Sequence, residues 1–222
     1  MKKLLTIIAI SMMTIVVSSP AHAQLKDLLP GGAKKSGGGG DIGAQVKTFV
    51  ERSDLINSLA FTALKSITAA YASDEESKKI EAEIKAFQSS TDPKEKNAKM
   101  NEAFKTDQAK IDQIAKSSDA QEKTKNLSKE KQKLIASSVG NFMIAALQAA
   151  ELSNDGQNIV QGAGANPMDL PKIAPVKDAL PLLASAVSAS TKVIPGFIKV
   201  LQGANIEVPK VTAQSKPEET KF

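Results

Sequence analysis

The chain is poor in the side chains on which metal sites and hydrolytic triads most often depend. Among 222 residues there is no cysteine, no tryptophan and a single histidine. Zinc, copper and iron sites therefore lack their usual ligands, and catalysis by a Ser-His-Asp or Cys-His group is not supported. We predict no catalytic residues, no cofactor, no metal and no enzymatic activity. A hydrolase built on two carboxylates is the alternative, because such residues meet only in the fold.

Segments that resemble ligand-binding loops also lack the required spacing. Gly162-Ala163-Gly164-Ala165 has no strand before it, so it does not make a dinucleotide fingerprint. The stretch 154–158 lacks the alternating acids and the closing glutamate of a calcium loop. We interpret it as a helix end followed by a turn.

The first 23 residues have the pattern of a cleavable export signal. Lys2 and Lys3 precede an uncharged run over residues 4–17, and Ala21-His22-Ala23 supplies the small residues that signal peptidase recognises. The apolar run is too short to span a bilayer, which takes roughly 20 residues. We therefore predict a Sec-type signal peptide cleaved after Ala23 and a mature protein in the periplasm or outside the cell. Cleavage would also remove the only histidine.

The charge of the chain does not identify a partner. Removal of Lys2 and Lys3 lowers the formal net charge from +5 by two units, and Arg52 is the only basic residue that is not lysine. Nucleic-acid-binding surfaces usually combine clustered arginine and lysine with elements that read a groove. We expect no nucleic-acid partner, and we favour another protein over a membrane or lipid contact. The sequence leaves the oligomeric state open.

Four segments are expected along the chain. After the signal peptide (1–23), the glycine runs of residues 24–41 predict a flexible tether. Residues 42–203 are expected to form one helical domain, and 204–222, with Pro209 and Pro217, an extended or disordered tail.

Apolar residues in the helical domain recur at spacings of three and four, which predicts an all-α bundle of about five to six helices. Ser73 and Asp92 supply helix-start signals, the latter with Pro93 in the first turn. Pro181 fits the first turn of a helix, whereas Pro195 is expected to break or kink the helix that precedes it. The predicted helices are 42–72, 73–89, one that begins at 93 and has an apolar seam as far as Ile114, 119–152, 176–190 and 191–202, with a loop over 153–175.

Charge is distributed unevenly between the two halves of the domain. From residue 74 to 133 there are 27 charged residues in 60, whereas from 134 to 206 there are 8 in 73. We therefore expect an apolar core made of 42–72, 134–152 and the last two helices. The charged segment 73–133 would be a helical hairpin that either lies on this core or projects from it.

Two candidate interaction sites follow from this pattern. Arg52 lies at the edge of the apolar face of its helix. There its guanidinium group would pair with a carboxylate where two helices meet, or bind an anionic ligand. In the simpler interpretation, the methylene groups of Arg52 cover part of the core and its guanidinium group lies in water. The second candidate is an apolar groove beside the long loop. Its expected lining residues are Phe142, Leu147, Leu183 and Val187.

The sequence therefore favours an exported helical binding or adaptor protein, similar in build to chaperones and assembly factors, with an unidentified partner. This analogy rests on architecture alone. The alternatives are a membrane-active helical protein and a carrier of small amphiphiles, both using the apolar stretches 134–152 and 176–202.

Overall fold

The computed structural model describes residues 41–164 and 167–220, and all the regular structure of this part is helical. The all-α prediction and the bundle are confirmed. The predicted signal peptide and the tether as far as residue 40 lie outside the described residues. The helices are α1 (Ile42–Tyr71), α2 (Asp74–Ser89), α3 (Pro93–Lys116), α4 (Ala120–Asn126), α5 (Lys129–Gly164), the 3-10 helix η1 (Pro167–Ile173) and α6 (Ala174–Gly203).

The first three helices begin at side chains that satisfy free backbone N–H groups. Asp41 accepts a hydrogen bond from the N–H of Gly43 at 3.0 Å and so starts α1. Ser73 and Glu76 form a reciprocal capping box at the start of α2. The hydroxyl and N–H of Ser73 both donate to the Glu76 carboxylate, which lowers the pKa of that group. Asp92 caps α3, with Pro93 in its first turn, as predicted.

The helices α2 and α3 lie on the bundle through narrow apolar seams. α2 packs against α1, and α3 packs against both α1 and α6. The rings of Phe61 and Phe87 stack at a centroid distance of 4.0 Å, which joins α1 to α2. The charged segment therefore lies on the core. Its outer faces carry ion pairs at four-residue spacing: Glu75–Lys79, Glu81–Lys85, Glu95–Lys99 and Asp112–Lys116, at 2.7–3.0 Å.

An ion group built around the buried carboxylate of Asp107 ties the first three helices together. The ammonium of Lys65 in α1 lies 2.7 Å from a carboxylate oxygen of Glu83 in α2 and 3.0 Å from Oδ2 of Asp107 in α3. Asp107 is almost fully buried, and its Oδ2 accepts no well-aligned hydrogen bond from the described residues. Burial alone lowers the pKa of Lys65, but the hydrogen bond to Glu83 and the charge of Asp107 outweigh it and raise that pKa above its usual value.

The single helix predicted over 119–152 is two helices in the structure. The chain turns at Leu127 and Ser128, and the hydroxyl of Ser128 accepts from the N–H of Lys131. The buried amide of Gln132 donates to three carbonyl groups at the end of α4, those of Thr124, Lys125 and Leu127. Gln132, one turn into α5, thus accepts the role of hydrogen-bond donor to carbonyl groups that the end of α4 leaves free. These hydrogen bonds stabilise the break between α4 and α5.

The predicted loop over 153–175 is wrong, because α5 continues to Gly164 and η1 follows. Gly156, which lies in the predicted turn over 154–158, is buried inside the helix. A Cβ atom there would lie 2.6 Å from Phe49 Cε2 and 2.9 Å from Leu180 Cδ2. The glycine therefore permits α1 and α6 to approach α5 closely, and its role is packing.

The predicted break between residues 190 and 191 is also wrong, because α6 is continuous through Pro181 and Pro195. Its buried residues, among them Leu183, Val193 and Phe197, lie on one face along the whole helix. At Gly196 a Cβ atom would lie 2.9 Å from the Cβ of Ala115, so α3 approaches α6 beside the second proline. Burial along this face outweighs the loss of two backbone hydrogen bonds.

Among the described residues, two helical stretches have the length and composition of a membrane-crossing segment, Lys129–Gly164 and Pro167–Gly203. In the first, 67% of the most apolar window is buried inside the bundle, and in the second, 39%. Core helices of soluble proteins pass the same test, so this composition is weak evidence for membrane insertion.

Candidate functional site

The C-terminal tail, residues 204–220, leaves α6 through a Schellman turn. The N–H of Ile206 donates to the carbonyl of Leu201 at 2.9 Å, and the N–H of Asn205 donates to that of Gln202 at 3.1 Å. Asn205 has φ of 58°, in the left-handed region that asparagine tolerates better than most residues. This geometry directs the following chain back over the bundle. The tail has no helix or strand, and it is docked against α5.

Asn141 of α5 holds the tail by its backbone. Its Oδ1 accepts from the N–H of Glu218 and its Nδ2 donates to the carbonyl of the same residue, both at 2.8 Å. The Nδ2 group also lies 3.4 Å from Oγ1 of Thr220. Asn141 is 2% exposed, so the tail supplies the partners that a buried amide needs.

Gln148 and Gly140 make two further contacts with the tail. Nε2 of Gln148 donates to the carbonyl of Ala213 at 2.8 Å. A Cβ atom at Gly140 would lie 3.0 Å from the Cβ of Pro209, so the missing side chain forms a notch for the proline ring. A turn over Thr212–Ser215 reverses the direction of the tail. The segments before and after this turn therefore lie beside the same part of α5. We call Ser137, Gly140, Asn141, Ile144 and Gln148 the tail-binding face of α5.

A cavity of about 490 Å³ remains between the tail and this face. Lys133, Ser137 and Ile144 line it from α5, and Glu207, Lys210 and Lys216 line it from the tail. Charged groups of both signs thus surround a floor that is partly apolar. Within the described residues, no group of three or more His, Cys, Asp or Glu side chains could hold a metal ion.

Arg52 makes the carboxylate contact that the sequence analysis considered. Its Nη1 lies 3.1 Å from Oδ2 of Asp155, which joins α1 to α5. The side chain of Arg52 is 27% exposed and that of Asp155 52%. An ion pair with this exposure contributes at most about 1 kcal/mol to stability. It is a contact between α1 and α5.

The four residues of the predicted apolar groove do not line one open surface. Phe142 and Leu183 have no exposed area and lie in the closed core. Val187 is partly buried against that core, and Leu147 is 42% exposed on the outside of α5. Large apolar residues of α5 and α6 do lie in the same part of the bundle, but they fill its centre and do not line a groove.

Sequence reasoning did not select Gly140, Asn141 and Gln148 as site residues. The available signal was the presence of two amides, Asn141 and Gln148, in the uncharged stretch 134–150 of α5. Asn141 is buried, and its amide pairs with a second chain segment instead of with its own helix. Which segment fills that place depends on the path of the tail.

Replacing Gly140 by alanine is expected to loosen the tail while the helix itself gains stability. Alanine favours a helix interior over glycine by up to about 1 kcal/mol, but its methyl group would press on Pro209. We expect hydrogen exchange of the amides of residues 206–220 to accelerate several-fold. Gly162→Ala is the matched control, because its Cβ would meet nothing within 4 Å. Equal exchange rates in the two variants would show that the notch does not hold the tail.

Comparison of the chain with protein-family models, with characterised proteins and with solved structures finds no match.

Proposed function

We propose that this chain is an exported helical binding protein of the periplasm or cell exterior that engages another protein. The observation that carries the proposal is the tail-binding face of α5, where the buried amide of Asn141 pairs with both backbone groups of one extended residue. An adaptor or assembly factor needs a surface of this kind, because backbone contacts hold a polypeptide whatever its side chains.

The export part of the proposal rests on the signal-like pattern of residues 1–23. The mature protein would begin at Gln24, and mass spectrometry of protein purified from the periplasm would measure this directly. A mass that retains residues 1–23 would contradict export by signal-peptide cleavage.

Crosslinking in living cells tests the binding part. A photoreactive amino acid in place of Lys133, which lines the cavity beside the tail, is expected to give an adduct with one recurring protein. The same substitution at the exposed Lys78 of α2 is the matched control and is expected to give none. Equal labelling at both positions, or none at position 133, would contradict the proposal.

The same experiment separates the alternatives. A lipid adduct at position 133 would favour an amphiphile carrier. Leakage of lipid vesicles by the mature protein would favour a membrane-active protein, in which the apolar helices α5 and α6 leave the bundle. Mass spectrometry of the adduct identifies the class of partner in either case.

A further inference from the structure

We propose that the tail is a displaceable occupant of a peptide-binding surface, and that an extended segment of a partner protein takes its place on α5. The inference rests on the proposed function and specifies the partner class. The partner segment would present a free N–H and C=O to Asn141 and a proline or small residue to the notch at Gly140.

The first argument is that α5 contacts the backbone of the tail. Asn141 and Gln148 bind main-chain groups of Glu218 and Ala213, which every amino acid possesses apart from the missing N–H of proline. The hydrogen bonds from Asn141 and Gln148 to main-chain groups therefore place little requirement on the side chains of the tail. Its exposed residues are Asn205, Glu207, Lys210, Thr212, Gln214 and residues 216–219, of which Glu207, Lys210, Lys216 and Glu218 line the cavity.

The second argument is that the tail can leave without opening the core. Of its residues, Ile206 and Val208 pack against the core cluster, and both are only partly buried. The helices α1, α5 and α6 contact one another independently of the tail. Displacement would expose Asn141 and Gln148 to water, which supplies the hydrogen bonds that the tail had made.

The third argument concerns charge. α5 has no charged residue from Leu134 to Ala150, and Lys133 stands at the edge of the tail-binding face. The surface that the tail covers therefore imposes no charge pattern on its occupant. A neutral segment, or one with an acidic residue near Lys133, is the chemistry that fits.

Peptide binding to a full-length variant with a released tail tests the inference. Pro209→Glu places a larger, charged side chain opposite the notch, and Glu218→Pro removes the N–H that Asn141 binds. The matched control is Gln214→Glu with Glu218→Gln, which leaves net charge and the backbone N–H unchanged at exposed positions. The probe is a fluorescently labelled peptide spanning residues 206–220, followed by fluorescence anisotropy.

The released-tail variant is expected to bind the probe at least about tenfold more tightly than the wild type or the control, because an attached tail competes at high effective concentration. Adding Asn141→Ala to the released-tail variant is expected to abolish this gain. Circular dichroism and thermal unfolding establish that each variant retains its helices. Equal affinity of all variants, or tight binding without Asn141, would overturn the inference.

Two outcomes separate this inference from the proposed function. If the probe does not bind but the crosslink at position 133 forms, the peptide surface is disproved and the binding function stands. If native mass spectrometry shows that the released-tail variant dimerises, a second copy of the chain fills the surface and the assignment to a different partner protein is overturned.

Discussion

Replacing Lys65 by methionine is expected to lower the free energy of unfolding by about 3 kcal/mol, near the lower end of the range for removing one partner of a buried ion pair. The substitution leaves the carboxylate of Asp107 in a site where its side chain is 3% exposed, with its nearest cation gone. Methionine keeps most of the volume of the lysine methylene groups. The loss of stability therefore measures the effect of removing the positive charge. Urea unfolding at neutral pH measures it.

Two further variants test this explanation. Lys85→Met removes one member of an exposed pair with Glu81, and its cost is expected to be no more than about 0.5 kcal/mol. The double variant Lys65→Met with Asp107→Leu removes both buried charges and is expected to recover most of the loss. A Lys65→Met variant that loses no more stability than Lys85→Met would show that Asp107 is not held by Lys65.

Replacing Phe142 by alanine is expected to lower the free energy of unfolding by about 3–5 kcal/mol. The ring has no exposed area and lies where α5 meets the centre of the bundle. Truncation removes a large apolar side chain and leaves a cavity that the surrounding helices fill only in part. Thermal or urea unfolding of the purified mature protein gives the difference.

Leu147 is the matched comparison, because the sequence analysis placed it in the same groove as Phe142. With 42% of its surface exposed, it is expected to lose no more than about 1 kcal/mol on truncation to alanine. Similar costs at the two positions would contradict the packing of α5 described here. A Phe142→Ala variant that loses bound amphiphile at unchanged stability would instead restore the groove as a binding site.

The sequence by itself determined where three helices begin and which of their faces are buried. Asp41, Ser73 and Asp92 act on N–H groups within three residues, so their effect does not depend on the rest of the fold. The i,i+4 ion pairs and the periodic apolar seams are local in the same way. For this reason the all-α bundle and the exposed faces of α2 and α3 could be predicted.

Only the tertiary structure shows where contacts between residues far apart in the sequence outweigh the local preference of a residue for a turn or a helix. Gly156 reads as a turn and Pro195 as a helix break, but burial against Phe49 and along the apolar face of α6 keeps both inside helices. The docking of the tail on Asn141 joins residues 77 positions apart, with no pattern that links them in sequence. A buried side-chain amide needs hydrogen-bond partners, but only the path of the folded chain determines which segment supplies them.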